Sequence, residues 1–191
     1  PKKAVLATDS RYEEEYKNSA KKCYVRIAKN RNLSAIVLEA CNETRSKIIG
    51  FEADNFTYQG YINLKKSLGK IKLTPFINTV ENLRIVKDRE EIQHIRQACE
   101  NGARLMNYAV MAVKPGITEN SVKCKIESHA LKNSFGKPGF DIIVASGRNA
   151  SMPHAAASDK IIRKQEMVTI DLGAMHCGYN SDLTRTVFLG R

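Results

Sequence analysis

The stretch that most constrains what this chain can fold into spans residues 168–187, where two β-branched, apolar runs flank Met175-His176-Cys177-Gly178. Two such runs around a glycine-containing loop predict a β-hairpin, with Gly178 taking the left-handed conformation that such loops often need. A loop of residues 175–178 pairs Asp171 with Asp182 and Thr169 with Thr184. Directly opposed residues hold their Cβ atoms about 4.5–5.5 Å apart on one face of the sheet. Two carboxylates at that separation repel each other unless a proton or a cation lies between them. On the other face Val168, Ile170 and Leu172 are uniformly apolar and predict burial in a core. Spacing alone leaves two readings open: a metal platform backed by a buried face, or two acids turned to solvent at a sheet edge.

A chain of 191 residues has room for one large domain or two small ones. With 42% hydrophobic and 27% charged residues it can bury a real core. No apolar run approaches the length of a membrane span and no signal peptide opens the sequence, so a cytoplasmic protein with no membrane partner is expected. The sequence begins at Pro1 and reaches a strand-like run almost at once, which predicts further residues upstream. A net charge of +11 raises nucleic acid or an acidic surface as partners. The basic residues are dispersed, however, and the pairs Lys2-Lys3, Lys21-Lys22 and Lys65-Lys66 are not interleaved with aromatics. A solvated lysine-rich surface is therefore favoured over a nucleic-acid footprint. The five cysteines are scattered, odd in number and without a C-x-x-C, which fits reduced thiols better than a disulfide framework or a zinc knuckle. Cys177 beside His176 is a minor metal-ligand candidate, because the loop tip lies away from the two acids.

Residues 1–80 read as a small α/β domain with no phosphate loop and no catalytic cluster, suited to supporting, orienting or oligomerising. Its expected elements are a strand at 4–8, a helix capped by Asp9 or Ser10 running to about Asn30, strands at 35–38 and 47–51, a helix opened by Asp54 or Asn55 and stopped by Gly69, and a short strand at 70–73. Residues 81–191 begin with a junction and then a long amphipathic helix to Val113, whose stripe includes Ile92, Ile95, Cys99, Ala103 and Met106, with Leu105, Ala109 and Val110 extending it. Thr118 caps a second helix ending near Gly136, and residues 140–145 form a strand buried on both faces. His94 reads as surface and His129 as structural. Pro153 fixes the approach of His154, which stands in a loop rich in glycine, serine and alanine. Such a histidine can donate a proton or a hydrogen bond to a developing anion. Read alone, it is more often an ordinary loop histidine.

Phe140-Asp141-x-Ile143-Val144-Ala145-Ser146-Gly147, Pro153-His154, Asp171-Leu172-Gly173 and Ser181-Asp182-Leu183-Thr184-Arg185-Thr186, in that order, resemble the pita-bread metallopeptidases. The branch most similar is that of the Xaa-Pro aminopeptidases and Xaa-Pro dipeptidases (prolidases). Thr8-Asp9-Ser10-Arg11-Tyr12 and Gly50-Phe51-Glu52-Ala53-Asp54 resemble the amino-terminal domain that these enzymes share with creatinase, and the run from Lys87 resembles the start of their catalytic domain. The resemblance implies a small α/β creatinase-like domain over 1–80, followed over 81–191 by the first half of an α+β pita-bread catalytic domain. It implies a metal-dependent exopeptidase that cleaves the amino-terminal Xaa-Pro bond of a peptide with proline in second place, as a homodimer. It further implies that Asp171 binds one of two divalent metal ions and that Asp182 bridges both. His154 then hydrogen-bonds the substrate and helps to stabilise the tetrahedral intermediate, while Thr184 supports the acids without binding metal. Oxygen ligands of this kind suit Mn²⁺, with Co²⁺ or Zn²⁺ as substitutes. The alternative is a non-enzymatic pita-bread binder of protein or nucleic acid, against which the retained acid pair argues.

Two departures from the family pattern stand out. Gln165-Glu166 replaces the Gly-Asp that often precedes the first hairpin strand, which bears on the geometry of that turn. The family also draws a histidine and two glutamates from sequence after this hairpin, and none of His94, His129 or His176 stands in a matching context. The chain is thus expected to be part of a longer enzyme and to bind metal weakly by itself. An isolated half of a pseudo-symmetric sheet exposes a strand edge and an apolar face. On its own it should aggregate or associate by swapping; sedimentation as a well-behaved monomer counts against this expectation.

Overall fold

Alternating short strands and helices build the first of the two units into which the chain divides, Pro1–Val86 and Lys87–Arg191. The computed structural model describes residues 4–19 and 23–190. Lys2-Lys3 and Lys21-Lys22 lie outside the described residues. In the first unit β1 (Val5–Asp9) precedes α1 (Glu13–Ser19), β2 (Tyr24–Ala28), α2 (Leu33–Thr44), β3 (Ile48–Glu52), α3 (Tyr58–Leu68), β4 (Lys72–Phe76) and α4 (Thr79–Ile85). β1 pairs with β2 and β3 with β4, both in parallel. Cys41, Leu64 and Leu68 are buried at its core, with Ile49, Ile71 and Leu73 packed around them.

Four expectations for this unit are corrected. The strand expected at 35–38 lies inside α2, because Asn32 caps the segment by accepting from Ala35 N at 3.2 Å and Arg45 closes it in a left-handed conformation. Ile36 and Cys41 face inward from that helix, a spacing that a strand face does not produce. The helix expected to reach Asn30 instead gives way to β2, whose Tyr24-Val25-Arg26-Ile27 run is aromatic and β-branched. Position 20, expected on that helix as Ala20, lies outside the described residues. Thr57, rather than Asp54 or Asn55, caps α3 by accepting from Gly60 N at 3.0 Å, and β4 runs on through Pro75.

The second unit starts with α5 (Arg89–Ala112), fixed by a capping box. Glu90 N and Glu91 N donate to Asp88 Oδ1, each at 2.9 Å, while Asp88 N donates to Glu91 Oε2 at 2.7 Å. α6 (Glu119–Lys132) follows, with Thr118 Oγ1 accepting from Ser121 N as expected. Then come β5 (Ile143–Ser146), β6 (Met167–Leu172), β7 (Met175–His176), β8 (Tyr179–Asn180) and β9 (Leu183–Phe188). β5, β6 and β9 form an antiparallel sheet with β6 in the middle, and β7 and β8 extend the hairpin to its tip. Val168, Ile170 and Leu172 on β6 have no exposed surface and pack against Leu105, Met106 and Ala109 of α5 and Val122 and Ile126 of α6. The apolar face read from the sequence is therefore the sheet's core face. Among the described residues no helix is long and apolar enough to cross a membrane.

The hairpin closes differently from the expected loop of residues 175–178. Cys177 and Gly178 both have positive φ, 49° and 84°, which makes a two-residue turn of the I′ kind whose twist matches the flanking strands. His176 then pairs with Tyr179, and Asp171 pairs with Thr184 instead of Asp182. The register differs from expectation by two residues, and because side chains alternate with period two, no side chain changes face. Gln165 ahead of β6 also takes a left-handed φ of 61°, and its N–H donates to Leu189 O at 2.7 Å. The departure from Gly-Asp is accommodated there without losing the turn.

Two corrections concern α5. Leu105, Met106 and Ala109 are buried as expected, but the stripe continues through Ala98, Asn101 and Gly102, while Cys99 and Ala103 are exposed. Nor is His94 a free surface residue, since its ring stacks on Tyr179 at 5.6 Å. The stripe turns toward the hairpin because Gly102 allows close approach: a Cβ there would meet Ser181 Oγ at 2.4 Å and Leu183 Cδ1 at 3.0 Å. Gly102→Ala gains about 0.8–1 kcal/mol of helix propensity. It forces a short, buried serine that also receives the Ala174 N–H at 3.0 Å to move, an overpacking cost of about 1–3 kcal/mol. The overpacking wins, so thermal unfolding of Gly102→Ala should show a lower midpoint; an unchanged or raised midpoint contradicts this packing.

Candidate metal centre

β6 is the central strand of its sheet, so Asp171 is flanked by a neighbour on each side, Ile143 from β5 and Thr184 from β9. Thr184 Oγ1 donates to Asp171 Oδ1 at 2.8 Å. That bond fixes the carboxylate while leaving Oδ2 free of it, and it puts a neutral donor where the expected register put a second negative charge. Asp171 is half-buried. Asp182 follows the buried Ser181, whose N–H donates to Ala174 O at 2.9 Å and carries the β6–β9 register up to the hairpin tip. By that register Asp182 falls opposite Gly173, on the face of Asp171 and diagonal to it. Diagonal neighbours across a strand pair lie about 7–8 Å apart, against about 4.5–5.5 Å for direct partners. Asp182 is exposed. The structure thus brings Asp171, Asp182 and Thr184 together on one face. The donors there are all oxygen, a set that suits hard divalent cations, and the residues present fit a metal ion in that respect.

His154 lies on a loop and is exposed, and among the described residues no hydrogen bond joins it to either acid. The loop is held by a residue that the sequence reading passed over. Glu119, at the start of α6, has no exposed surface. Its Oε1 accepts from Ser146 N and Ser146 Oγ, both at 2.7 Å, and from Asn149 Nδ2 at 3.2 Å. Its Oε2 accepts from Ser158 Oγ at 2.6 Å and Ser158 N at 3.1 Å. One carboxylate therefore grips the end of β5, the helical turn over Gly147–Ser151 and the far end of the loop that carries His154. Burial pushes the Glu119 carboxyl up, but the hydrogen bonds from Ser158, Ser146 and Asn149 outweigh it and hold the group below its ordinary value. A second ring of contacts continues outward. Lys160 Nζ donates to Ser146 Oγ and to Glu166 Oε2, each at 2.8 Å, and Arg163 N donates to Glu166 Oε2 at 3.0 Å. The Lys160 hydrogen bond, helped by that backbone donor, holds the Glu166 carboxyl below its usual range. The only sequence signal for Glu119 was an acid directly after the capping Thr118, which is also what an ordinary first-turn acid looks like.

Residues 93–191 match metallopeptidase family M24, and residues 1–86 match the Creatinase/Prolidase N-terminal domain. An uncharacterized peptidase, YqhT, of Bacillus subtilis is 34% identical over 189 residues, covering 99% of this chain and 53% of the relative. Among solved structures, an Xaa-Pro dipeptidase from Bacillus anthracis superposes with a TM-score of 0.91 at 32% identity, over 100% of this chain and 53% of its own. An X-Pro aminopeptidase from Thermotoga maritima superposes with a TM-score of 0.85 at 31% identity, over 98% and 53%. The chain spans about half the length of the relatives it matches.

Because Glu119 is held below its ordinary value, its contribution to stability is fully present above the unfolded carboxyl pKa of about 4.3 and is lost as pH falls through the folded value. Thermal unfolding between pH 7 and pH 3 should therefore fall less steeply in Glu119→Gln than in the parent chain. Glu119→Ala, which leaves buried donors unpaired, should cost about 3 kcal/mol or more at pH 7. A parallel pH dependence of parent and Glu119→Gln would contradict this role.

Proposed function

Since the chain belongs to metallopeptidase family M24, we propose that it serves as a metal-dependent exopeptidase acting on the amino-terminal Xaa-Pro bond of peptides. The observation that carries the reading is the placement of Asp171 and Asp182 on one face of a hairpin, with Thr184 Oγ1 donating to Asp171 at 2.8 Å. In this reading Asp171 and Asp182 hold two divalent ions, Mn²⁺ by the chemistry of the donors, and the remaining ligands are the histidine and two glutamates that the family resemblance assigns to later sequence. Bound metal supplies Lewis acidity and a water acidic enough to be hydroxide at neutral pH. Thr184 keeps the Asp171 carboxylate in one orientation. His154 donates a hydrogen bond to the substrate carbonyl oxygen as negative charge develops on it, and the Glu119 network limits how far its loop can stray. The names of the structural relatives, an Xaa-Pro dipeptidase and an X-Pro aminopeptidase, support proline in second place. A cytoplasmic homodimer completes the proposal. The non-enzymatic binder draws support from the +11 charge alone.

The test uses a chain that carries this sequence together with the later ligand segments. Supplied with Mn²⁺, it should release the first residue from an Xaa-Pro peptide. Asp182→Asn should abolish release while leaving the unfolding transition in place, and His154→Ala should lower kcat by about 10²–10³-fold. Release that survives Asp182→Asn sinks the bridging role. Salt-sensitive RNA or DNA binding with no retained metal points to the binder instead.

A further inference from the structure

At the hairpin tip, away from the acid pair, three side chains converge that the exopeptidase reading does not use. One ring nitrogen of His94, one of His176 and Cys177 Sγ all lie within 4.8 Å of one another. His94 comes from α5 and the other two from the tip, so the cluster joins elements far apart in sequence. The histidine rings are tilted against each other at 5.5 Å. Tyr179 stacks on His94 at 5.6 Å, and its hydroxyl donates to Glu91 Oε1 at 2.9 Å, which ties the tip back to α5. Glu90 Oε1 lies 3.9 Å from His94 Nε2.

The turn itself supplies a second, independent observation. Cys177 occupies the first central position with φ 49°, where Asn, Asp or Gly is the usual choice. Its side chain is exposed, so packing does not offset the backbone strain. The turn needs the left-handed backbone here but not a thiol, and the thiol it carries stands beside two imidazoles.

We propose that His94, His176 and Cys177 bind one zinc-class divalent cation at a site separate from the hairpin acids, clamping the hairpin tip to α5. A thiolate with two imidazoles selects Zn²⁺ or Co²⁺ over Mn²⁺, Mg²⁺ or Ca²⁺, the reverse of the preference of an all-oxygen set. Zinc bonds of about 2.0–2.1 Å to nitrogen and about 2.3 Å to sulfur set ligand atoms about 3.3–3.7 Å apart. The cluster therefore closes by at most about 1–1.5 Å on binding, within reach of side-chain rotation at an exposed cysteine. Binding forms a metal–sulfur bond and releases the Cys177 thiol proton to solvent, and the fourth position falls to water beside Glu90. The site does not depend on the exopeptidase reading.

The test titrates Co²⁺ and then Zn²⁺ into a chain that carries this sequence together with the later ligand segments and the changes Asp171→Asn and Asp182→Asn, so that the acids do not compete. One equivalent of Co²⁺ should raise a thiolate-to-cobalt charge-transfer absorption that Zn²⁺ displaces, and Zn²⁺ should shield Cys177 from alkylation as mapped by mass spectrometry. His94→Ala and His176→Ala should each weaken Zn²⁺ binding about tenfold or more. Cys177→Gly should remove the absorption while keeping or raising the unfolding midpoint of the metal-free chain, because glycine takes this φ without strain. That variant separates loss of a ligand from loss of the fold. A cobalt spectrum without the thiolate absorption, an absorption that survives Cys177→Gly, or zinc affinity indifferent to both histidine changes overturns the proposal.

Discussion

Burying a carboxylate with no exposed surface costs several kcal/mol unless its oxygens find donors, and much of the second unit is arranged so that those of Glu119 do. Ser146 and Ser158 each give it a backbone N–H and a hydroxyl, and Asn149 adds its amide. Hydrogen bonds to a charged acceptor contribute about 1.5–3 kcal/mol each, enough together to exceed the burial penalty, in line with the lowered carboxyl value. Because the donors come from β5 and from both ends of the loop that carries His154, the contacts cannot form separately. The loop, whose own side chains are mostly small or exposed, takes its shape from this carboxylate together with its own turns, where Met152 N donates to Asn149 O and Ala155 N to Met152 O, and the Ser158 carbonyl, which accepts from Asn120 N.

This dependence also marks where sequence reading runs out. Glu119 follows a capping threonine, and every feature visible in one dimension assigns it to the ordinary role of a first-turn acid. Only the return of Ser146 and Ser158 across the fold makes it a hub, and neither serine announces that. The same limit appears in α5, where hydrophobicity pointed to Cys99 and Ala103. The inward face instead follows Ala98, Asn101 and Gly102, because what packs there is the tip side of the hairpin, which selects for small size over apolarity. In the first unit, the runs at 24–28 and 35–38 each carry residues compatible with strand or helix. The caps at Asn32 and Arg45 decided the second of them, and they carry more information than the β-branched residues between them.

The hairpin was legible in a more durable way. Its alternation of apolar and polar residues identified the buried face of β6 and the shared face of the two acids, while the loop length assumed for it was wrong. Closing through Cys177-Gly178 shifts each partner by two residues. An even shift preserves the side of the sheet on which every residue lies. Parity therefore survives an error in pairing, and a reading that needs only parity survives with it.

The shift has an energetic consequence for the acids. Directly opposed carboxylates would destabilise the strand pair, so a hairpin with Asp171 facing Asp182 would need a cation or a proton in order to fold well. The observed pairing puts Thr184 opposite Asp171 as a donor and moves Asp182 to the diagonal, where the repulsion is weaker and the side chain remains exposed to water. With Val168, Ile170 and Leu172 buried behind it, the strand pair draws its stability from the core. The two acids can thus take their places on one face with no cation between them, unlike sites whose ligands are gathered only as an ion binds. Affinity at such a platform is then set by the number and kind of ligands presented.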